Sequence, residues 1–179
     1  MQRPLLKEKR VLITPFFFVL LLSAPSAIAD SRADSWYRIG HEYSQRKRND
    51  DAFLWMMRAA EAGHSAAQNN IGLSYLHGLG VKQDDKEAFA WFEKSAKQGL
   101  TYAQSELAML YYRHGDTKKA RQWWLIAANA NDEYAQFNLA SLFLEQNNSK
   151  QATYWFDKAR KNKHPQAQTA LDKLGENNE

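Results

Sequence analysis

Ala67-Gln68-Asn69-Asn70-Ile71-Gly72-Leu73-Ser74-Tyr75-Leu76-His77-Gly78-Leu79-Gly80-Val81-Lys82-Gln83-Asp84 runs straight into Asp85-Lys86-Glu87-Ala88-Phe89-Ala90-Trp91-Phe92-Glu93-Lys94-Ser95-Ala96-Lys97-Gln98-Gly99. In the first half, Ala67, Ile71 and Tyr75 fall at i, i+4 and i+8, a stripe along one face of a helix. In the second half, Ala88, Trp91, Phe92, Ser95 and Ala96 share a face of another helix. Gly78-Leu79-Gly80 joins two helices rather than a strand and a helix, so it reads as a structural turn. Asp84 is a candidate cap for the second helix, and Gly99 stands where a positive φ can end it. The stretch is a helical hairpin.

The hairpin is repeated along the chain. Ala followed three residues later by Trp occurs at Ala52/Trp55, Ala88/Trp91, Ala120/Trp123 and Ala152/Trp155, spaced 36, 32 and 32. Ala-Gln at 67/68, 103/104, 135/136 and 167/168 keeps the same spacings. Two markers in one register signal a solenoid of repeated units. Leu107, Leu139 and Leu171 continue the Ile71 position, Tyr111 and Phe143 continue Tyr75, and Ser35, Ile39 and Tyr43 extend the pattern backwards. Each alanine lets two helices approach closely, with a Trp filling the space opposite. Gly63 and Asn131 match Gly99, and Asp50 and Asp116 match Asp84 as caps. Helices are predicted at 34–46, 50–62, 65–77, 84–98, 101–113, 117–130, 133–145, 149–162 and 165–174, the last capping the array. Residues 175–179 form a polar tail.

The stretch from Ala67 to Gly99 resembles the Sel-1-like repeat, a relative of the tetratricopeptide repeat, most of all in Gly78-Leu79-Gly80-Val81 and the following Asp84. The units at Ala103 and Ala135 are four loop residues shorter, and the unit near Ser35 also has a short turn. The resemblance covers about residues 34–174. It implies an all-α, α/α solenoid of antiparallel helix pairs wound as a right-handed superhelix, with about four repeats and a C-terminal capping helix. It also implies protein–protein adaptor work without naming the partner.

The N-terminus reads as an address. Basic residues precede the apolar run Val11–Leu22, followed by Ser23-Ala24-Pro25-Ser26-Ala27-Ile28-Ala29 before Asp30. This is the grammar of a secretory signal peptide at 1–29, with small Ala27 and Ala29 admitting a peptidase and Pro25 holding the stretch extended. A run of twelve residues, interrupted by Thr14 and Pro15, is short against the roughly 20 apolar residues that span a membrane, so membrane association is expected only through an uncleaved segment. Cleavage leaves a solenoid domain at 30–174, exported and periplasmic if the source is Gram-negative.

The formal net charge of the chain is +4. Arg3, Lys7, Lys9 and Arg10 against Glu8 account for +3 of it, leaving 20 basic and 19 acidic side chains in residues 30–179. That near-neutral body gives no reason to expect nucleic acid. With no cysteine, disulfides, thiolate metal sites, a cysteine nucleophile and a lipobox are excluded. His41, His64, His77, His114 and His164 include no i, i+3 or i+4 pair for a metal. No catalytic or phosphate-cradling motif occurs. The expectation is therefore a non-enzyme without metal or cofactor. Some cysteine-rich relatives are linked to β-lactam binding, but a hydrolase of that type lacks support here.

First helices of such stacks line the inner wall. Positions about one before and two, six and nine after the Ala of Ala-Gln are predicted to face inward. The candidate partner-binding set is Tyr37, His41, Asn69, Leu73, Tyr102, Ser105, Met109, Tyr112, Tyr134, Phe137 and Ser141. It is aromatic, aliphatic and small-polar, as interface cores are, although a tightly coiled array could bury such residues against one another. Another protein is the expected partner and a monomer the expected state. An envelope adaptor and an inhibitor or immunity protein against a periplasmic effector both fit.

Overall fold

The computed structural model of the protein describes the backbone of residues 24–176 and the side chains of residues 31–176. Among these residues are nine helices and no strand: α1 (Ala24–Gln45), α2 (Asn49–Glu61), α3 (Ser65–His77), α4 (Asp85–Lys97), α5 (Thr101–Arg113), α6 (Thr117–Asn129), α7 (Glu133–Glu145), α8 (Ser149–Lys161) and α9 (Ala167–Glu176). Every helix from α2 to α8 is 13 residues long. Each packs chiefly on its chain neighbours, most extensively within the pairs α1–α2, α3–α4, α5–α6 and α7–α8. That pattern is a solenoid of four hairpins closed by α9.

Packing explains the alanines and revises the role of the tryptophans. Ala67, Ala103 and Ala135 are fully buried, as are Ile71, Leu107 and Leu139 four residues on. In the second helices the deepest large side chain follows the Ala by four, not three: Met56, Phe92, Trp124 and Phe156. Each stands at the level of a small residue of the first helix, five after Ser35, Ala67, Ala103 or Ala135: Gly40, Gly72, Ala108 or Ala140. A Cβ on Gly40 would lie 2.8 Å from Met56 Cγ, and one on Gly72 would lie 2.8 Å from the Phe92 ring. The Trp at plus three sits at the edge, half-buried at Trp55 and Trp123, buried at Trp91 and Trp155. A cation three residues on covers its ring: Arg58 over Trp55 at 4.7 Å, Lys94 over Trp91 at 3.7 Å, Lys158 over Trp155 at 5.1 Å. The long basic side chain keeps its charge wet while its stem shields the indole.

The Ala-Gln marker has a hydrogen-bonding reason. Gln68, Gln104 and Gln136 donate from Nε2 to the carbonyls of Ala60, Ala96 and Ala128 at 3.1, 3.3 and 2.9 Å. Those carbonyls lie in the last turn of the preceding second helix, where acceptors lack a full intrahelical complement. Gln98 then donates to Gln68 Oε1 at 2.7 Å and Asn162 to Gln136 Oε1 at 3.0 Å. A polar spine thus ties hairpin to hairpin inside the apolar stack. Gln168, beyond the last hairpin, is exposed and donates to Asp172 along its own helix.

Several boundaries differ from expectation. Asp84 and Asp116 cap α4 and α6, but Arg48 holds the cap position of α2 and Asp50 lies inside its first turn. Gly63, Gly99 and Asn131 do take positive φ. Residues 165 and 166 form a turn after His164, so α9 starts two residues late and includes Gly175 and Glu176 of the expected tail; residues 177–179 lie outside the described residues. Helix α1 begins at Ala24, so Pro25 and the predicted cleavage residues Ala27, Ala29 and Asp30 have helical rather than extended backbone. Proline is tolerated there because the first turn needs no amide donor. The apolar run Val11–Leu22 lies outside the described residues.

The long connection after α3 positions the first cleft described below. Gly80 has φ +70° and packs against the Asn49 carbonyl at the start of α2, leaving no room for a Cβ. Glycine is demanded there twice over.

Candidate partner-binding groove

A helix turns about 100° per residue. With the marker Ala, its Gln and residues four, five and eight on facing the core, the opposite side of each first helix is minus one, plus three, plus six and plus ten. Residues at plus two and plus nine then point along the stack toward the next repeat.

The structure follows this geometry. At plus six, Leu73, Met109 and Ser141 are half-buried; at plus three, so are Asn70, Glu106 and Asn138. These form a floor. At minus one, Tyr102 is 67% and Tyr134 51% exposed, and at plus ten His77, Arg113 and Glu145 are exposed, giving rims on either side. In the first repeat the corresponding face is polar and open, including exposed His41. Sequence reasoning placed minus one and plus six on this face but missed plus three. The signal was available: Tyr102, Glu106 and Met109 follow i, i+4, i+7 spacing.

The predicted residues at plus two lie in the joints between repeats. Tyr37 stacks on His64 at 4.3 Å and Phe137 on His164 at 4.1 Å. Ser105 lies beside Asp132, whose pKa burial raises and the Ser105 hydroxyl helps to lower. Asn69 is buried, with its Oδ1 lacking a partner among the described residues. The facing residues are caps: His64 Nδ1 accepts from the Ala67 amide at 3.1 Å, and Asp132 from the Ala135 amide at 2.6 Å. Tyr37, Ser105 and Phe137 therefore meet the next hairpin and Asn69 is buried at the same position, instead of lining the groove, because 200° of rotation from the marker position turns plus two toward the next repeat.

Between successive first helices the floor dips into clefts. Ser44, Met56, Asn70, Leu73, Ser74 and Leu79 help line one of about 160 Å³ between the first two repeats. The equivalent cleft between the third and fourth is only about 70 Å³ and is lined by Met109, Tyr112, Trp124, Asn138, Ser141, Leu142 and Glu145. Tyr112 occupies the plus-nine position held by Ser44 in the first. Its hydroxyl donates to Glu145 Oε1 at 2.6 Å, which raises its pKa, and its ring lies 5.5 Å from that of Trp124. The Trp124 Nε1 donor is buried beside this cleft without a partner among the described residues. In the middle joint Leu76 takes the same position and is buried.

Three further ionisable groups near this face are shifted. Burial raises the Glu106 pKa, with Asp132 adding to the rise and His77 opposing it. Burial likewise raises Asp132 against the lowering hydrogen bond from the Ala135 amide. Burial lowers the His164 pKa, with Glu133 opposing. Among the described residues no three His, Asp or Glu side chains gather as a metal site. What the groove offers is apolar contact, aromatic rims and a few hydrogen-bonding groups.

Comparison with known proteins agrees with this architecture. The Sel1 repeat model matches residues 36–64, 65–100, 101–132 and 133–164. Among solved structures, c5321, a protective antigen present in uropathogenic Escherichia coli strains and displaying an SLR fold, superposes with a TM-score of 0.74 at 30% identity over 79% of this chain and 33% of its own. A Sel1 repeat protein from Oxalobacter formigenes gives 0.73 at 29% identity, over 79% of this chain and 62% of its own. The Saccharomyces cerevisiae chitin synthase regulator SKT5 is 40% identical over 50 residues, 28% of this chain and 7% of that protein. The chain thus spans less than two thirds of each of these relatives.

Proposed function

The chain belongs to the Sel1 repeat family, a fold class typical of protein–protein interaction modules, and from that premise we propose that it holds a partner protein in the first-helix groove and performs no chemistry itself. One observation carries the reading: across the second to fourth repeats a half-buried floor, Asn70 to Ser141, runs between exposed rims that include Tyr102 and Tyr134. Solvent-facing helix surface is ordinarily charged. Here it is mostly neutral, aromatic and aliphatic, as interface cores are. The groove is held by the Gln spine and the stacked joints, so a partner segment meets a surface already ordered, which lowers the cost of association.

The chain works in this reading as an exported adaptor of the cell envelope. The basic, apolar and small-residue order of residues 1–29 supports export, and a cut before Asp30 comes ahead of Ala33, a buried core residue. Intact-mass measurement of the chain recovered from the envelope fraction tests this step: a chain still carrying residues 1–29, or one confined to the cytoplasm, overturns it.

The groove is tested by photo-crosslinking in cells. A crosslinking residue at Leu73, Tyr102 or Met109 is expected to trap one discrete partner. The same group at exposed Lys94, on the second-helix side, is expected to trap none. Crosslinks of equal strength from Lys94, or from Lys94 alone, overturn the assignment.

A further inference from the structure

The groove floor holds one formal charge among six side chains, and that charge is half-buried. Asn70, Leu73, Met109, Asn138 and Ser141 are neutral; Glu106 stands at their centre. Its equivalents in the flanking repeats, Asn70 and Asn138, line the two clefts. The ion pairs of the described residues all lie elsewhere. Arg113, on the same helix, is seven residues and thus about 10 Å away along the axis. Tyr102 is one turn before Glu106 on α5, and Tyr134 occupies the same register on α7, both rings exposed.

A carboxylate removed from water without a counter-ion is costly. The cost is visible in the direction of its titration, raised by burial beyond what His77 offsets, with Asp132 pushing the same way. Nothing in the hairpin's packing demands an acid at this position, since asparagine serves in the repeats on either side. A cation arriving from outside would relieve the desolvation and gain a charge-assisted hydrogen bond. Exposed tyrosine rings suit the flank of such a cation, because their faces attract guanidinium and ammonium groups.

We propose that the groove recognises a partner segment carrying an arginine or lysine side chain, which seats on Glu106 between the Tyr102 and Tyr134 rims. This rests on the groove reading above and deepens it: neutral floor residues take the neighbouring apolar and amide side chains, and Glu106 sets the charge preference.

The test is an arrayed library of capped hexapeptides, scanned for every residue type at every position. It is probed with the full chain and its Glu106→Gln, Glu106→Lys and Leu73→Asp variants. The expected result is selection of Arg or Lys at one position. Glu106→Gln weakens those peptides by roughly tenfold or more, the scale of a lost hydrogen bond to a charged group. Replacing the selected Arg by citrulline weakens wild-type binding equally, a readout independent of the variant's folding, and leaves a folded Glu106→Gln variant unaffected; undiminished wild-type binding of the citrulline peptide overturns the cation seat. Glu106→Lys turns the preference toward Asp or Glu. Peptide capture that Leu73→Asp abolishes but that shows no basic preference overturns the cation seat and leaves the groove standing. Failure of every peptide to bind in a Leu73-dependent way overturns both.

Discussion

The cleft between the first and second repeats and the cleft between the third and fourth are the same place in the repeat, yet one is open and the other nearly closed. Both are framed by a plus-four side chain of the second helix, Met56 or Trp124, and by an asparagine at plus three of the following first helix, Asn70 or Asn138. The two clefts differ at plus nine. Ser44 leaves the first cleft at about 160 Å³, whereas Tyr112, bonded to Glu145, reduces the other to about 70 Å³. Glycine at 40 and 72, where the later repeats have Ala108 and Ala140, brings the helices of the first two hairpins close enough to exclude a Cβ. A repeat framework fixes where a cleft falls; single side chains set its depth.

The sharpest way to break this comparison is at the closed cleft. Trp124→Ala removes its most buried large side chain and should cost about 3–5 kcal/mol, read as the urea midpoint of the helical circular-dichroism signal. Trp55→Ala, at a half-buried edge position, should cost clearly less. Equal losses would mean that plus three and plus four share the core evenly.

Next in size is the close approach in the second hairpin. Gly72→Ala drives a methyl against the Phe92 ring and should cost about 1–3 kcal/mol. Pairing it with Phe92→Leu should recover part of the loss, and a double-mutant cycle measures how much.

Exchanging the plus-nine residues comes third. Tyr112→Ser gives up the hydrogen bond to Glu145 and the ring contact with Trp124, for about 1 kcal/mol, and opens the cleft. Ser44→Tyr narrows the other with little change in the melt. A crystal structure of each variant checks the volumes, and crosslinking from Leu73 reports whether the first cleft takes part in capture.

The smallest effect is a pH dependence at the last joint. His164 is buried against Phe137 and Tyr134, and burial lowers its pKa below the usual 6.5. The folded chain therefore binds the proton less readily than the unfolded chain. The neutral ring's contribution is full above about pH 6.5 and is lost as pH falls through the lowered folded value. His164→Asn keeps an acceptor near the Gln166 amide and removes the titration. The stability difference between pH 8 and pH 5.5 should shrink in this variant. If it is unchanged, the acid sensitivity lies elsewhere.

The hairpins were legible because each depends on local spacing. Helices α3, α5 and α7 fall on their predicted residues, and the Ala-Gln register was plain before its hydrogen bonds to Ala60, Ala96 and Ala128 gave it a cause. The groove was only half legible. Leu73, Met109, Tyr102 and Tyr134 could be assigned to the face opposite the core, because that face follows from rotation about one helix. Tyr37, Ser105 and Phe137 could not be placed, because their partners, His64, Asp132 and His164, belong to the next hairpin. Glu106 was passed over for the same reason: a carboxylate on a helix surface looks solvated until its neighbours are known.

What the sequence by itself determined is the repeat: four hairpins in a constant register, with small residues where helices touch and capping residues where they begin. Those are interactions within about one helical turn or between adjacent helices, and each leaves a periodic mark on the chain. What only the tertiary structure decided is which face each residue presents once the hairpins are stacked. Burial, cleft depth and the desolvation of a carboxylate depend on atoms about one repeat away in sequence, and the distance between repeats is set by packing rather than by any single residue.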